Sequence, residues 1–310
     1  MDSSKKAIAA NKAADLRPPL SIIVATTQPW PELQGCLSSL YLQAQAAGAE
    51  VIVVDGHGHG LPDESTSFPG VIRLTSPGSS IYQLRALAMA QARGEIVALT
   101  EDHCRVSPEW CARILQAHNK YPEVAVIGGA VENGATNAWI DWASFFYGNS
   151  SAMSPLGTRP ARQILQLNLS YKQRVVPKTV PELGRMEFML NETLREQGER
   201  LLIDDRIAVS HVQSLGFLGT CAIHYHGSRS VSGFRLEHIG PVERGVRLAA
   251  CFVMPPILFV RALLPLLAKR RLGGPIVKSL APLALLVFIR AAGAFAGLAA
   301  GPGNSPRHIR

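Results

Sequence analysis

Cysteine is scarce in this chain. Of 310 residues five are Cys36, Cys104, Cys111, Cys221 and Cys251. The number is odd and no two are spaced C-x-x-C, which argues against a disulfide framework or a cysteine-built zinc site and fits a reducing compartment. No long apolar stretch follows Lys5 and Lys6, so no secretory signal is expected, and the polar, Ala-rich residues 1–18 read as a flexible N-terminal tail. Acids are nearly missing from the last third. From Arg229 onward twelve Lys/Arg face only Glu237 and Glu243, so that region carries the whole excess behind the formal net charge of +8. It is also the most apolar part of the chain, and its apolar residues are mostly Leu, Ala, Val and Pro rather than the aromatic ones that nucleic-acid readers interleave with basic residues. A basic, apolar segment points to an anionic membrane surface as partner and away from nucleic acid.

What is present is a regular alternation. With 47% hydrophobic residues the chain has ample material for a core. Leu20–Ala25, Glu50–Val54, Glu95–Thr100 and Val124–Ile127 are short, continuously apolar runs. Between them Trp30–Ala47, Ile81–Ala92 and Pro108–His118 have helical spacing. Continuous apolar strands alternating with amphipathic helices predict an α/β fold with a mostly parallel central sheet covered on both faces. Later, Trp139 to Tyr147 is a dense aromatic patch expected to pack rather than to stack on a sugar. Glu187–Gly198 reads as a helix, and Arg200–Ile203 and Ala208–Val212 as two short strands. His224 and His226 flank Tyr225 in what reads as an extended segment, with no further ligand nearby for zinc.

Ligands of open α/β sheets sit at the carboxyl ends of the strands. Three strand ends here are polar: Thr26-Thr27, Asp55-Gly56 and Glu101-Asp102-His103. A divalent cation that holds a diphosphate needs two or three hard ligands close together on rigid backbone. In an extended segment Glu101 and His103 point to one side and Asp102 to the other. The pair can then face a metal, Mn2+ or Mg2+, while Asp102 faces a sugar or ribose. The same tripeptide would also serve as a plain turn cluster before the next helix. Asp55 can accept hydrogen bonds from a nucleobase or ribose, and Arg85 can face a base or phosphate.

In this order the pieces resemble the nucleotide-sugar-binding half of family 2 glycosyltransferases. That family runs strand, "VVD-D/G", "R-N-x-G-x-x-A-x-G-E/D-I-V", "D-x-D" and "P-x-W". The matching positions are Asp55, Arg85, Ala92, Gly94-Glu95-Ile96-Val97, Glu101 to His103, and Pro108 to Trp110. Asn168 to Arg174 resembles its "N-x-x-x-R-R" stretch, Glu187 with Leu190, Leu194 and Gly198 its "E-D-x-x-L…G" helix, and Ala208 to His211 its late "V-x-H". The likeness covers about Leu20 to Gly216, and order and spacing carry it rather than any single piece. It departs at Ala25 (usually Pro), at Ala86 and Ala88 (usually Asn and Gly), and at Glu101-Asp102-His103 in place of D-x-D.

The resemblance implies a GT-A-type nucleotide-diphospho-sugar transferase fold. It implies a catalytic domain over 19–228, its nucleotide half about 19–130 and its acceptor half about 131–228, followed by a basic, apolar, membrane-associated helical region over 229–310. The implied reaction is inverting transfer from a nucleoside diphosphate sugar. Thr26, Thr27, Asp55, Arg85 and Asp102 would hold the donor, Glu101 and His103 the metal with His211 as a further ligand, and Glu187 and Asp102 would be the catalytic residues, Glu187 as the base with Asp204 and Asp205 behind it. Asn168 and Arg174 would shape the acceptor side. A non-catalytic nucleotide-binding membrane scaffold is the alternative.

The apolar segments Leu248–Ala268 and Ile276–Ala300 are each long enough to span a hydrocarbon core of roughly 20 residues. They are interrupted by Pro255-Pro256, Arg261 and Pro265, and by Lys278, Pro282 and Arg290. Broken, re-entrant or interfacial helices are therefore expected ahead of two clean spans or a soluble helical subdomain. The implied acceptor is a lipid or lipid-linked molecule, with the catalytic domain on the cytoplasmic face.

Overall fold

The computed structural model describes residues 17–28, 30–58, 67–177 and 187–309; the side chains of Glu187, Phe188 and Glu237 fall outside the description. The expected tail over 1–18 thus lies almost wholly outside the described residues.

The strands are β1 (Leu20–Thr26), β2 (Glu50–Asp55), β3 (Ile72–Thr75), β4 (Ile96–Glu101), β5 (Cys104–Val106), β6 (Val124–Asn133), β7 (Thr158–Pro160), β8 (Asn168–Lys172) and β9 (Arg200–His211). They form one sheet in the order β3-β2-β1-β4-β8-β6-β9-β5, with β7 also on β9. Six of these strands run one way, and β8, β5 and β7 run against them. The central strands are buried on both faces, which is why they read as unbroken apolar runs.

The helices packed on the sheet are α1 (Trp30–Ala46), α2 (Ile81–Gln91), α3 (Trp110–Lys120), α4 (Trp139–Asn149) and α5 (Glu187–Glu196). Helix α2 is held at its start by a capping box, in which Ser80 Oγ accepts from the Gln83 amide and Gln83 Oε1 accepts from the Ser80 amide. Past its end Gly94 lies so close to β1 that a Cβ there would come within 2.5 Å of the Ser21 nitrogen. Only glycine allows that approach.

The C-terminal part is helical: α6 (Gly216–Phe234), α7 (Pro241–Ala250), α8 (Met254–Lys269) and α9 (Gly273–Ala300). Three readings change here. His224 and His226 lie in α6, not in an extended segment. The two short strands expected around Asp204-Asp205 are one continuous strand, β9. Helix α6 runs unbroken through the boundary expected at 228/229. Helices α6 and α9 touch along small residues: a Cβ on Gly293 would lie 2.3 Å from the Tyr225 carbonyl oxygen, and one on Gly297 2.4 Å from that of Arg229. Helix α9 also lies against α4, where Ile140, Ala143 and Tyr147 cluster with Ala262, Leu283 and Leu286, while Trp142, Phe145 and Phe146 of the aromatic patch join the main core.

By length and composition α9 can cross a membrane; α7 and α8 qualify only as a pair bent by 71°. The apolar surface is concentrated here. Fourteen of the seventeen large exposed apolar side chains among the described residues lie from Phe217 onward. The exposed apolar side chains are thus concentrated in the C-terminal part of the chain.

Candidate active site

Parallel strands deliver their carboxyl ends to one edge. The register places Thr26 beside Asp55 and Ala25 beside Glu101. Strand β4 ends at Glu101, the chain turns through Asp102 and His103, and β5 pairs antiparallel with the end of β9, setting Cys104 opposite His211. That pairing, secured by the Val212 amide donating to the His103 carbonyl at 2.9 Å, brings two histidines together that are 108 residues apart.

His103 is the hub. Its Nε2 lies 3.0 Å from Glu101 Oε2 and 3.1 Å from His211 Nε2, and the two rings meet edge to face with centroids 4.7 Å apart. One ligand atom from each of Glu101, His103 and His211 falls within 4.8 Å of the others. On its other side His103 Nδ1 donates to Asp102 Oδ1 at 2.7 Å, and Asp102 Oδ2 accepts from Thr26 Oγ1 at 2.6 Å. A carboxylate that fixes the Nδ1 proton aims the Nε2 lone pair outward, as in carboxylate–histidine metal sites. One carboxylate and two imidazoles are a donor set that can hold a first-row divalent cation. The residues therefore fit a divalent cation.

The electrostatics follow from this packing. Burial acts to raise the Glu101 carboxyl, but the hydrogen bond and charge of His103 and the charge of Arg85 outweigh it, holding the group below the usual carboxylate range. Burial acts to lower His103, and its bonds to Asp102 and Glu101 lift it instead to about 9. His211, pushed the same way by burial and by the charge of His103, falls to about 3. Arg85 donates to Glu101 Oε1 at 2.7 Å.

A cavity of about 950 Å³ opens beside this cluster. Arg85, Glu101, His103 and His211 line it, and so do Tyr147 and His224 from α4 and α6, Arg261 and Pro265 from α8, and Arg290 from α9. Among the described residues five arginines and one carboxylate, Glu101, face it. Sequence reasoning treated Arg261 and Arg290 only as obstacles to a membrane span. A charge inside an apolar helix was the available signal, since such charges mark functional positions.

The other expected site residues divide. Asp55 is buried at the same edge, with Oδ1 accepting from the His57 amide at 2.8 Å and Oδ2 without a partner. Thr27 Oγ1 beside it is likewise buried and unpartnered. Thr26, Thr27 and Asp55 stand near the cavity without lining it. Asp102 does not face a sugar: it is 3% exposed and spends both oxygens on His103 and Thr26. Asn168 is not on the acceptor side. It is buried, accepts from Trp110 Nε1 at 2.9 Å and donates to the Ala130 and Ile207 carbonyls at 2.8 and 2.9 Å. Arg174 is ion-paired with Glu199 away from the cavity. Asp204 pairs with Arg206, and Asp205 accepts from the Leu156 and Gly157 amides, so neither is a free base. Glu187 heads α5, and its side chain lies outside the described residues.

A family model described as glycosyl transferase family 2 matches residues 21–180. Among curated proteins none matches the chain. Among solved structures the mannosyltransferase PcManGT from Pyrobaculum calidifontis, in complex with GDP-Man and Mn2+, is similar over 93% of this chain and 77% of that chain, at 16% identity and a TM-score of 0.44. At that level no residue is carried across.

Proposed function

The chain belongs to glycosyl transferase family 2, and we propose that it moves a sugar, with inversion and with a divalent cation, from a nucleoside diphosphate donor to a lipid acceptor at a membrane surface. The observation that carries this reading is the convergence of Glu101, His103 and His211 at the carboxyl edge of the sheet, on a cavity that the apolar C-terminal helices also line.

In this reading Glu101, His103 and His211 would hold the cation. The bound cation would supply charge neutralisation for the leaving diphosphate. Asp102 orients His103 from behind. Arg85, second to His103, helps hold Glu101 ionised and adds positive charge to the cavity wall. Asp55 and Thr27, with buried and unpartnered oxygens at the ends of β2 and β1, would receive the nucleoside. Glu187 would serve as base where the acceptor is a hydroxyl.

The membrane part rests on how α9 is attached. The connector before it returns to the catalytic half, with Lys269 Nζ donating to the Ser150 carbonyl at 3.0 Å and Arg271 to that of Ser154 at 2.6 Å. After it, Ile309 lines the cavity. A helix tied at both ends to the catalytic half supports lying in the interface over crossing to the far side.

Calorimetric titration of UDP and GDP into the detergent-purified protein, with and without Mn2+, tests the reading. Metal-dependent binding of one nucleotide, lost in His103→Ala, is expected. Absence of binding of either nucleotide by folded protein would favour the scaffold alternative.

A further inference from the structure

We propose that the acceptor is a lipid phosphate monoester, its phosphate held by Arg290 and Arg261 and its chain lying along α8. This rests on the glycosyltransferase reading and names the acceptor for that site.

Arg290 is the strongest observation. Its guanidinium lies 4.3 Å from the centroid of the Tyr147 ring, and its Nε is buried with no hydrogen-bond partner. A buried N–H without an acceptor is costly and is normally satisfied. His224 presents a second case in the same cavity. Its Nε2 lies 2.8 Å from Ser144 Oγ, and its Nδ1 is buried and unpartnered. In the tautomer in which Ser144 donates to Nε2, Nδ1 carries the proton and is another donor lacking an acceptor. Arg261, one helix away, lines the cavity as well, and among the described residues neither arginine has a carboxylate partner. The buried, unsatisfied donor of Arg290, with the solvent-exposed guanidinium of Arg261 on the same cavity, calls for an anion with several acceptor oxygens, which a phosphate supplies.

Two further features assign that anion to a lipid acceptor rather than to the donor. The donor's nucleoside belongs at Thr27 and Asp55, which do not line this cavity, whereas Arg261 and Arg290 come from the C-terminal helices. Those helices supply apolar walls through Leu258, Ala262 and Pro265, and the outer side of α8 exposes Ile257, Val260 and Leu264. A ligand whose head meets guanidinium and whose tail meets this surface is an amphiphile with an anionic head.

The chemistry closes without a base. A phosphate oxygen of the dianionic monoester attacks the anomeric carbon as the bond from that carbon to the diphosphate oxygen breaks. The leaving nucleoside diphosphate takes the electron pair. The product is a lipid phosphodiester bearing the sugar, and no proton moves.

The test uses the full chain in detergent, with farnesyl phosphate, farnesol and inorganic phosphate as calorimetric probes. Farnesyl phosphate should bind at least about tenfold tighter than farnesol, the value of one lost charge-assisted hydrogen bond. Arg290→Gln and, separately, Arg261→Gln should remove that advantage and leave farnesol binding unchanged. Equal binding of the two farnesyl compounds overturns the proposal, as does an unchanged affinity in both variants. Inorganic phosphate binding as tightly as farnesyl phosphate would make the site one for a free anion and overturn the lipid. Mn2+-dependent nucleotide binding in the same samples keeps the two readings apart. Nucleotide binding without farnesyl phosphate binding rejects only the acceptor, and the reverse rejects the glycosyltransferase reading. A loss of nucleotide affinity in Arg290→Gln, with farnesyl phosphate affinity kept, would move Arg290 to the donor and overturn the assignment. Arg290→Lys, which keeps the charge but not the fork, should restore part of the affinity.

Discussion

Replacing Asp102 by Asn separates an orienting role from a sugar-binding one. Asp102 is 3% exposed and accepts two short hydrogen bonds, from His103 Nδ1 at 2.7 Å and from Thr26 Oγ1 at 2.6 Å. Asparagine fills the same space. Its oxygen can still accept from His103, and its amide can donate to Thr26, whose hydroxyl has the Gln28 carbonyl 3.3 Å away as an alternative acceptor. The fold is therefore expected to survive.

What disappears is the negative charge behind the imidazole. A hydrogen bond to a charged group contributes about 1.5–3 kcal/mol and a neutral one about 0.5–1.5. The difference is about 1–2 kcal/mol, and at 1.4 kcal/mol per decade it weakens a cation on His103 Nε2 by roughly 5- to 30-fold. The usual loss on changing such a carboxylate, roughly 10- to 100-fold in metal affinity, overlaps that range. Mn2+ binding would be followed by electron paramagnetic resonance of the free ion, in nucleotide-free protein, with thermal melting as the control for folding. If Asp102→Asn binds Mn2+ within twofold of the parent while folded, the orienting role is wrong. If Mn2+ binding is kept but donor binding falls, Asp102 faces the sugar after all.

Asn168→Ala should cost about 2–4 kcal/mol in chemical denaturation, because it leaves Trp110 Nε1 and the Ala130 and Ile207 carbonyls buried and unpaired; a variant of full stability with lost transfer activity would return it to the acceptor side. His118 is buried, and because Ser170 Oγ donates to the Ile127 carbonyl, His118 Nε2 donates to Ser170 and Nδ1 is left without a partner. Burial, helped by the charge of Lys172, pushes His118 down to about 3 from 6.5, so between those values the unfolded chain binds the extra proton and stability is lost as pH falls. Urea unfolding at pH 7 and pH 5 should show a smaller acid loss in His118→Gln than in the parent, by about 1–2 kcal/mol; an equal loss would refute it. Gly293→Val should lower the melting temperature by forcing α9 away from the Tyr225 carbonyl, overpacking that typically costs about 1–3 kcal/mol; an unchanged melting curve would mean that the helices do not meet there.

The first half of the fold was legible because doubly covered parallel strands must be apolar throughout. β1, β2, β4 and β6 announce themselves, and their polar terminal residues then point at the site. β3 was missed because Ile72–Thr75 alternates half-buried and exposed positions over only four residues. β9 was split because Asp204-Asp205-Arg206 resembles a turn, whereas Asp204 is buried and neutralised by Arg206 within the strand. α6 was missed because its Gly, Ser and His content is poor helix material. Gly293 and Gly297 of α9 come close to the α6 backbone beside Ser228 and Ser232, so tertiary packing overrides propensity there. At the site, chemistry was readable and burial was not. Glu101, His103 and His211 come within 4.8 Å of one another, while Asp102 and Asn168 are buried in hydrogen bonds that sequence spacing does not reveal.

The C-terminal helices are better understood as a wall of the active site than as an anchor attached to it. An anchor needs only exposed apolar area and basic flanks, and could follow the catalytic half through any linker. Here α6 crosses the expected boundary without a break, α9 is seated on α6 through Gly293 and Gly297, and α8 and α9 bring Arg261 and Arg290 to the cavity that Glu101 and His103 line. Charges placed inside apolar helices are costly wherever those helices meet lipid. At Arg290 that cost is offset by the Tyr147 ring and the polar cavity rather than by a carboxylate. Under the proposed function this arrangement would make a membrane-facing surface and an acceptor-binding surface continuous. A lipid acceptor would then reach the cation site by sliding along α8 instead of leaving the bilayer.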